Sequence, residues 1–214
     1  MDEDFEPFRR QGVEEWKTLV HVCRRWRSVV FQSPLRLNLR LLCTSKTRAG
    51  DTLDIWPSFP LIIRNTDYKL SSFDNIIAAL EHNDRVCQID LGHLTKSRSE
   101  YVTESAAMQK PFPELTDLYL GIIEDDGPER ILPDSFLGGT APRLQSLYLS
   151  NVTFPALPKL ILSATHLVRL DLVNIPSFGY IPPEVMATSL SALTSLKSLW
   201  LWFRYPRPRP ALES

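Results

Sequence analysis

Cysteine is scarce: Cys23, Cys43 and Cys87 are the only three in 214 residues, and no two form a CxxC pair. An odd, scattered set suits neither a disulfide framework nor a zinc site, and it fits a reducing compartment. Net charge is nearly absent, because 24 Lys and Arg against 25 Asp and Glu leave −1. Nothing therefore marks the whole chain for nucleic acid or an anionic membrane surface. No stretch approaches the roughly 18 apolar residues of a membrane helix. The acidic start Met1-Asp2-Glu3-Asp4 has no apolar run after it, so it does not read as a signal peptide. The expectation is a soluble intracellular protein, cytoplasmic and/or nuclear.

Catalytic patterns are missing as well. His21, His82, His93 and His166 are isolated, and there is no HExxH, no GxSxG and no glycine-rich phosphate loop. Gly138-Gly139 is a turn signal. Asp125-Asp126-Gly127 lacks the later ligands and terminal glutamate of a calcium loop. The expectation is a non-enzyme with no metal and no cofactor.

What the chain does have is a repeated phrase. Leu115-Thr116-Asp117-Leu118-Tyr119-Leu120 returns as Leu144–Leu149, Leu167–Leu172 and Leu196–Leu201, and a weaker copy, Val86–Leu91, comes first. The starts are 29, 29, 23 and 29 residues apart, and leucine fills positions one, four and six of the last four copies. Such a period means stacked units, each dependent on its neighbours to bury its apolar face. Between phrases lie segments spaced as helices: Leu157, Leu160, Ile161 and Ala164, then Met186, Leu190 and Leu193 after Pro182-Pro183. A weaker single turn is expected at Asp134–Leu137. Long crossovers of this kind join parallel strands.

Ahead of the repeats, Leu35, Leu37, Leu39 and Leu41 alternate with polar residues as a half-buried strand. A polar turn is expected at Ser45–Asp51 around Gly50, then short strands at Leu53–Trp56 and Leu61–Ile63. Ser71 or Ser72 caps a helix that buries Phe73, Ile76, Ile77 and Leu80. Earlier still, Trp16, Leu19, Val20, Cys23, Trp26 and Val30 fall on one side of an expected helix that Ser33-Pro34 stops. Arg24, Arg25 and Arg27 read as its solvated face. The tryptophans pack either on the rest of the chain or on a partner.

The run Trp16–Phe31, with Val22-Cys23-Arg24-Arg25-Trp26 at its centre, resembles the C-terminal half of an F-box. The Leu-Pro-like start and apolar helix that open an F-box have no counterpart in residues 1–12. The leucine phrases resemble leucine-rich repeats, and the longer spacing is similar to the helix-bearing type joined to F-boxes. Both together resemble the F-box-like proteins of mushroom-forming fungi. The resemblance implies an α/β leucine-rich-repeat solenoid, a curved parallel sheet with helical crossovers, preceded by a short helical F-box remnant. On this reading residues 1–12 are loose, 13–34 are F-box-like, 35–203 are repeats and 204–214 are a Pro/Arg-rich tail. The incomplete start and the lack of a capping segment suggest a partial or degenerate member.

The resemblance also implies function: a substrate receptor of an SCF-type (cullin–RING) ubiquitin ligase. A Skp-type adaptor would meet Trp16, Leu19, Val20, Cys23, Trp26 and Val30, and an unknown protein substrate would bind the repeats. The alternative is an interaction scaffold with no ubiquitin link. Within each phrase the fifth position points away from the buried leucines. It holds Asp90, Tyr119, Tyr148, Asp171 and Trp200, with Arg169 and Trp202 beside them. Aromatic residues with paired charges are favoured at binding hot spots. Tyr119 and Tyr148 are equally able to stack on each other across strands, and Trp200 and Trp202 would be covered if further repeats followed. The family often has asparagine at the ninth repeat position. Here Leu94, Ile123, Val152, Ile175 and Arg204 fill it, and Asn151 and Asn174 fall one residue early.

Overall fold

Every copy of the leucine phrase forms a β-strand. The computed structural model describes residues 18, 20–32, 39–55, 57–65, 73–123 and 129–204. In chain order the elements are α1 (Arg24–Gln32), β1 (Leu41–Thr44), α2 (Ala49–Ile55), β2 (Leu61–Arg64), α3 (Asp74–Leu80) and β3 (Val86–Leu94). They continue with α4 (Lys96–Thr103), β4 (Asp117–Ile122), β5 (Arg130–Ile131), β6 (Ser146–Ser150) and β7 (Val152–Thr153). Last come α5 (Leu157–Ser163), β8 (Arg169–Ile175), α6 (Pro183–Ser191) and β9 (Ser198–Phe203).

The architecture is α/β. Seven strands form one parallel sheet in the order β1-β2-β3-β4-β6-β8-β9, and the short β5 and β7 pair separately, also in parallel. Register repeats with the phrase. The second-position amide of each copy donates to the second-position carbonyl of the copy before: Thr116 to Cys87, Gln145 to Thr116, Val168 to Gln145 and Lys197 to Val168, all at 2.7–2.8 Å. Positions four and six then face one continuous interior, where Ile89, Leu91, Leu118, Leu120, Leu147, Leu149, Leu170 and Leu172 are buried. Ile76, Leu80, Leu157, Leu160 and Ile161 of the crossover helices join the same core.

The connection after β1 differs from expectation. Ala49–Ile55 is a helix, with Gly50 inside its first turn, where a polar turn and a short strand were predicted. Because β1 and β2 are parallel, the chain must cross back between them. Ala49 and Leu53 of this helix are buried. The single turn expected at Asp134–Leu137 lies at Phe136–Gly139 as a 3-10 turn. Gly138 there has φ +63° and approaches Pro111 so closely that a Cβ would lie 2.7 Å from the proline nitrogen. Leu35, Leu37, Trp56, Ser71, Ser72, Asp125–Gly127 and residues 205–214 lie outside the described residues.

At the N-terminal end, the single long helix expected through Val30 is interrupted. Thr18 and Val20 are helical, His21–Cys23 form a turn, and α1 starts at Arg24. The Arg27 Nε donates to the Val20 carbonyl at 3.1 Å, tying the two pieces together. Val20 before the turn and Val30 after it are still buried in the same core. Among the described residues no helix is long and apolar enough to cross a membrane.

Candidate functional site

The open side of the sheet carries a row of fifth-position side chains in unbroken register. Thr44, Arg64, Asp90, Tyr119, Tyr148, Asp171 and Trp200 are successive partners from β1 to β9. Parallel neighbours stand about 4.8 Å apart, so adjacent side chains must interact. Tyr119 and Tyr148 lie face to face, with ring centroids 4.1 Å apart and planes 9° from parallel. The cross-strand stack weighed above is therefore present. Room for it comes from Gly92: a Cβ there would stand 2.9 Å from the Tyr119 ring edge, and Gly121 lies beside it.

An ion pair flanks the tyrosines on each side. Arg64 Nε donates to Asp90 Oδ2 at 3.1 Å, with both side chains largely covered. Burial pushes the Asp90 carboxyl above the usual carboxylate range, and the Arg64 guanidinium opposes that shift. On the other side Arg169 Nε donates to Asp171 Oδ2 at 2.5 Å. Two residues before Tyr119 on the same face, the Asp117 carboxylate accepts from Gln88 Nε2 at 3.0 Å and from the Thr116 hydroxyl at 2.6 Å. The face thus presents stacked aromatic rings between internally neutralised charges, a surface suited to apolar and hydrogen-bonding contact.

Of the residues expected to face water, Asp90, Tyr119 and Tyr148 are partly exposed, while Trp200 and Trp202 are about half exposed, at 53% and 55%. Asp171 departs from expectation: it is 2% exposed. It lies between Tyr148 and Trp200 in register and beneath the Arg169 guanidinium, so its carboxylate is held inside the row. Arg64 and Thr44 extend the row beyond what was read from the phrases. The signal for Arg64 was its place directly after the apolar Leu61-Ile62-Ile63, where a fifth position falls.

Of the N-terminal set, Val20 and Val30 are buried, and Trp16 and Leu19 lie outside the described residues. Cys23 and Trp26 do not share the buried side with them; both are exposed, Cys23 in the break before α1 and Trp26 on α1 itself. On α1 Trp26 and Val29, three residues apart, are 50% and 53% exposed, and Val22 in the preceding turn is 65% exposed. The three-residue spacing of Trp26 and Val29 on the helix was the missed signal.

The turns after the strands hold a second set that sequence reading only half located. His93, Asn151 and Asn174, all at the eighth repeat position, have left-handed backbone with φ of 54°, 57° and 53°, a region asparagine tolerates. Asn151 Nδ2 donates to the Ile122 carbonyl at 2.7 Å, and Asn174 Nδ2 donates to Asn151 Oδ1 at 2.5 Å. Arg204 adds a bond from Nη2 to Asn151 Oδ1 at 2.9 Å. The eighth-position asparagines thus satisfy polar groups of the turns.

Burial pushes the Cys87 thiol up to about 11, and its Sγ donates to the Leu61 carbonyl at 3.2 Å. All three cysteines are free thiols; Cys43 is also buried, whereas Cys23 is exposed. Among the described residues no group of three or more His, Cys, Asp or Glu is placed to hold a metal ion. Comparison with known proteins finds no family model, curated protein or solved structure that matches the chain.

Proposed function

We propose that this chain is a non-catalytic protein-recognition module of the leucine-rich-repeat class, working inside the cell as substrate receptor of an SCF-type ubiquitin ligase. The observation that carries the recognition half is the in-register row from Arg64 to Trp200, with its stacked tyrosines and exposed tryptophan. Aromatic side chains offer large contact area at little entropic cost, which is why they anchor protein interfaces. The target protein lies along this row, against Tyr119, Tyr148, Arg169, Trp200 and Trp202.

The ligase half rests on the F-box-like run and on the uncovered Val22, Trp26 and Val29 beside it. An apolar group on a charged helix is the kind of surface a Skp-type adaptor covers. The test is a pull-down with purified Skp adaptor, comparing the natural chain with Trp26→Ala and Val29→Ala. Capture that both substitutions weaken supports the ligase reading. No capture leaves the second reading, an interaction scaffold that uses the same face without a ubiquitin link. That second reading draws support from the His21–Cys23 interruption, which leaves α1 with nine residues.

A further inference from the structure

The strands of the large sheet carry three carboxylates, Asp90, Asp117 and Asp171. Two are neutralised within the chain, Asp90 by Arg64 and Asp171 by Arg169. Asp117 is the exception, because among the described residues no cation forms a salt bridge with it. Its two bonds, from Gln88 Nε2 at 3.0 Å and from the Thr116 hydroxyl at 2.6 Å, come from neutral groups and both end on Oδ2. Oδ1 has no hydrogen-bond partner among the described residues, and the side chain is partly exposed. Ser146, its partner in register on β6, is also partly exposed, and its hydroxyl likewise makes no hydrogen bond among them.

We propose that Asp117 and Ser146 receive a basic side chain, arginine or lysine, of the protein that this face recognises. The inference rests on the row being the recognition face and names the chemistry that it selects. Adjacent strands hold the two acceptors side by side, about 4.8 Å apart at the backbone. Guanidinium and ammonium groups each carry several N–H donors, so either can bond Oδ1 and the hydroxyl together. A carboxylate with no cation of its own gains a charge-assisted bond from such a group, about twice as strong as a neutral one.

The surroundings favour an organic cation over a metal ion. One carboxylate and one hydroxyl are too few oxygens for calcium, which takes about six to eight. Two residues further along the same strands, about 6.6 Å away, stand Tyr119 and Tyr148. Their stacked faces are turned to each other, so the aliphatic stem of the entering side chain meets ring edges. An acidic residue at the same place in a target would be repelled, which makes Asp117 a point of discrimination.

NMR titration of the isotope-labelled full chain tests this with three tripeptides, blocked at both ends, that carry arginine, lysine or leucine between alanines. The arginine or lysine peptide is expected to shift the amides of Asp117, Ser146 and Tyr119 in a saturable way, and the tighter of the two names the residue. Asp117→Asn keeps the acceptor used by Gln88 and Thr116 and replaces the open oxygen with an amide. It should melt with the natural chain and bind the basic peptide about tenfold more weakly. Ser146→Ala, which removes no internal bond, should weaken it about threefold. Basic-peptide shifts that both substitutions leave unchanged overturn the proposal. Saturable shifts from the leucine peptide alone also overturn it, while keeping the row as a recognition face. No response to any of the three counts against both.

Discussion

β6 and β9 are two copies of one phrase in two environments. In β6 the inward Leu147 and Leu149 are each 1% exposed, because β4 and β8 stand on either side. In β9 the matching Leu199 and Leu201 lose that cover, with a neighbour on one side alone among the described residues. Alternation along the strand decides which way a side chain points. Burial is then supplied by the units before and after. A leucine in this chain is therefore worth what its neighbours make of it, which is the energetic meaning of a repeat period.

The largest effect that sharpens this contrast is a core truncation. Leu147→Ala or Leu170→Ala is expected to cost about 2–5 kcal/mol through a cavity that the surrounding strands cannot close. Leu201→Ala, measured by urea unfolding in dilute solution, is expected to cost well under half as much. Equal losses at Leu147 and Leu201 would break the comparison.

Asp171 sits at the boundary between the two regions, buried by Tyr148 on one side and Trp200 on the other. Removing its partner by Arg169→Ala leaves a covered carboxylate short of a charge-assisted bond. Since Arg169 itself reaches solvent, water replaces part of that bond, and the expected cost is about 1–3 kcal/mol. Arg169→Lys should recover part of it, and chemical denaturation reads both.

At the opposite side of the sheet, Cys87 in β3 is expected to show a pH signature. Its thiol is raised in the fold from 9.0 to about 11. The native state therefore holds a proton that the unfolded chain releases first. Stability is intact below about pH 9 and falls between about 9 and 11, by about 1 kcal/mol near the middle of that window. A Cys87→Ala variant should lose that slope relative to the natural chain. Alkylation of the native protein should label Cys23 and spare Cys43 and Cys87.

The strands of the repeat region were legible in the sequence because position and chemistry coincide there: leucine at one, four and six leaves one way to pack. The Arg64–Trp200 row follows from the same alternation, and its two surprises are both matters of neighbours. Asp171 is buried by what stands beside it, and Leu199 and Leu201 are exposed by what does not. Neither is visible in a single phrase.

Local pattern failed where a topological demand overrode it. Leu53-Asp54-Ile55 reads as strand in isolation, but parallel pairing of β1 and β2 requires a crossover, and the helix α2 supplies it. α4 went unread for a related reason, since Lys96–Thr103 has little apolar periodicity and buries Ser99 and Thr103 beside Val102. The Trp16–Val30 stripe obeyed helical spacing, yet three turn residues were enough to divide it. Asn151 and Asn174 were noticed as displaced; their left-handed backbone is what turns displacement into a working hydrogen-bond chain.

The central claim is that the phrases lie in register, placing Tyr119 directly beside Tyr148 and three strands away from Trp200. A double-mutant cycle on unfolding free energy, Tyr119→Ala with Tyr148→Ala, tests this most directly, with Tyr119→Ala and Trp200→Ala as the distant control. The account expects a coupling of about 0.5–1.5 kcal/mol for the stacked pair and additivity for the control. Additive tyrosines, or equal coupling in both cycles, would contradict it.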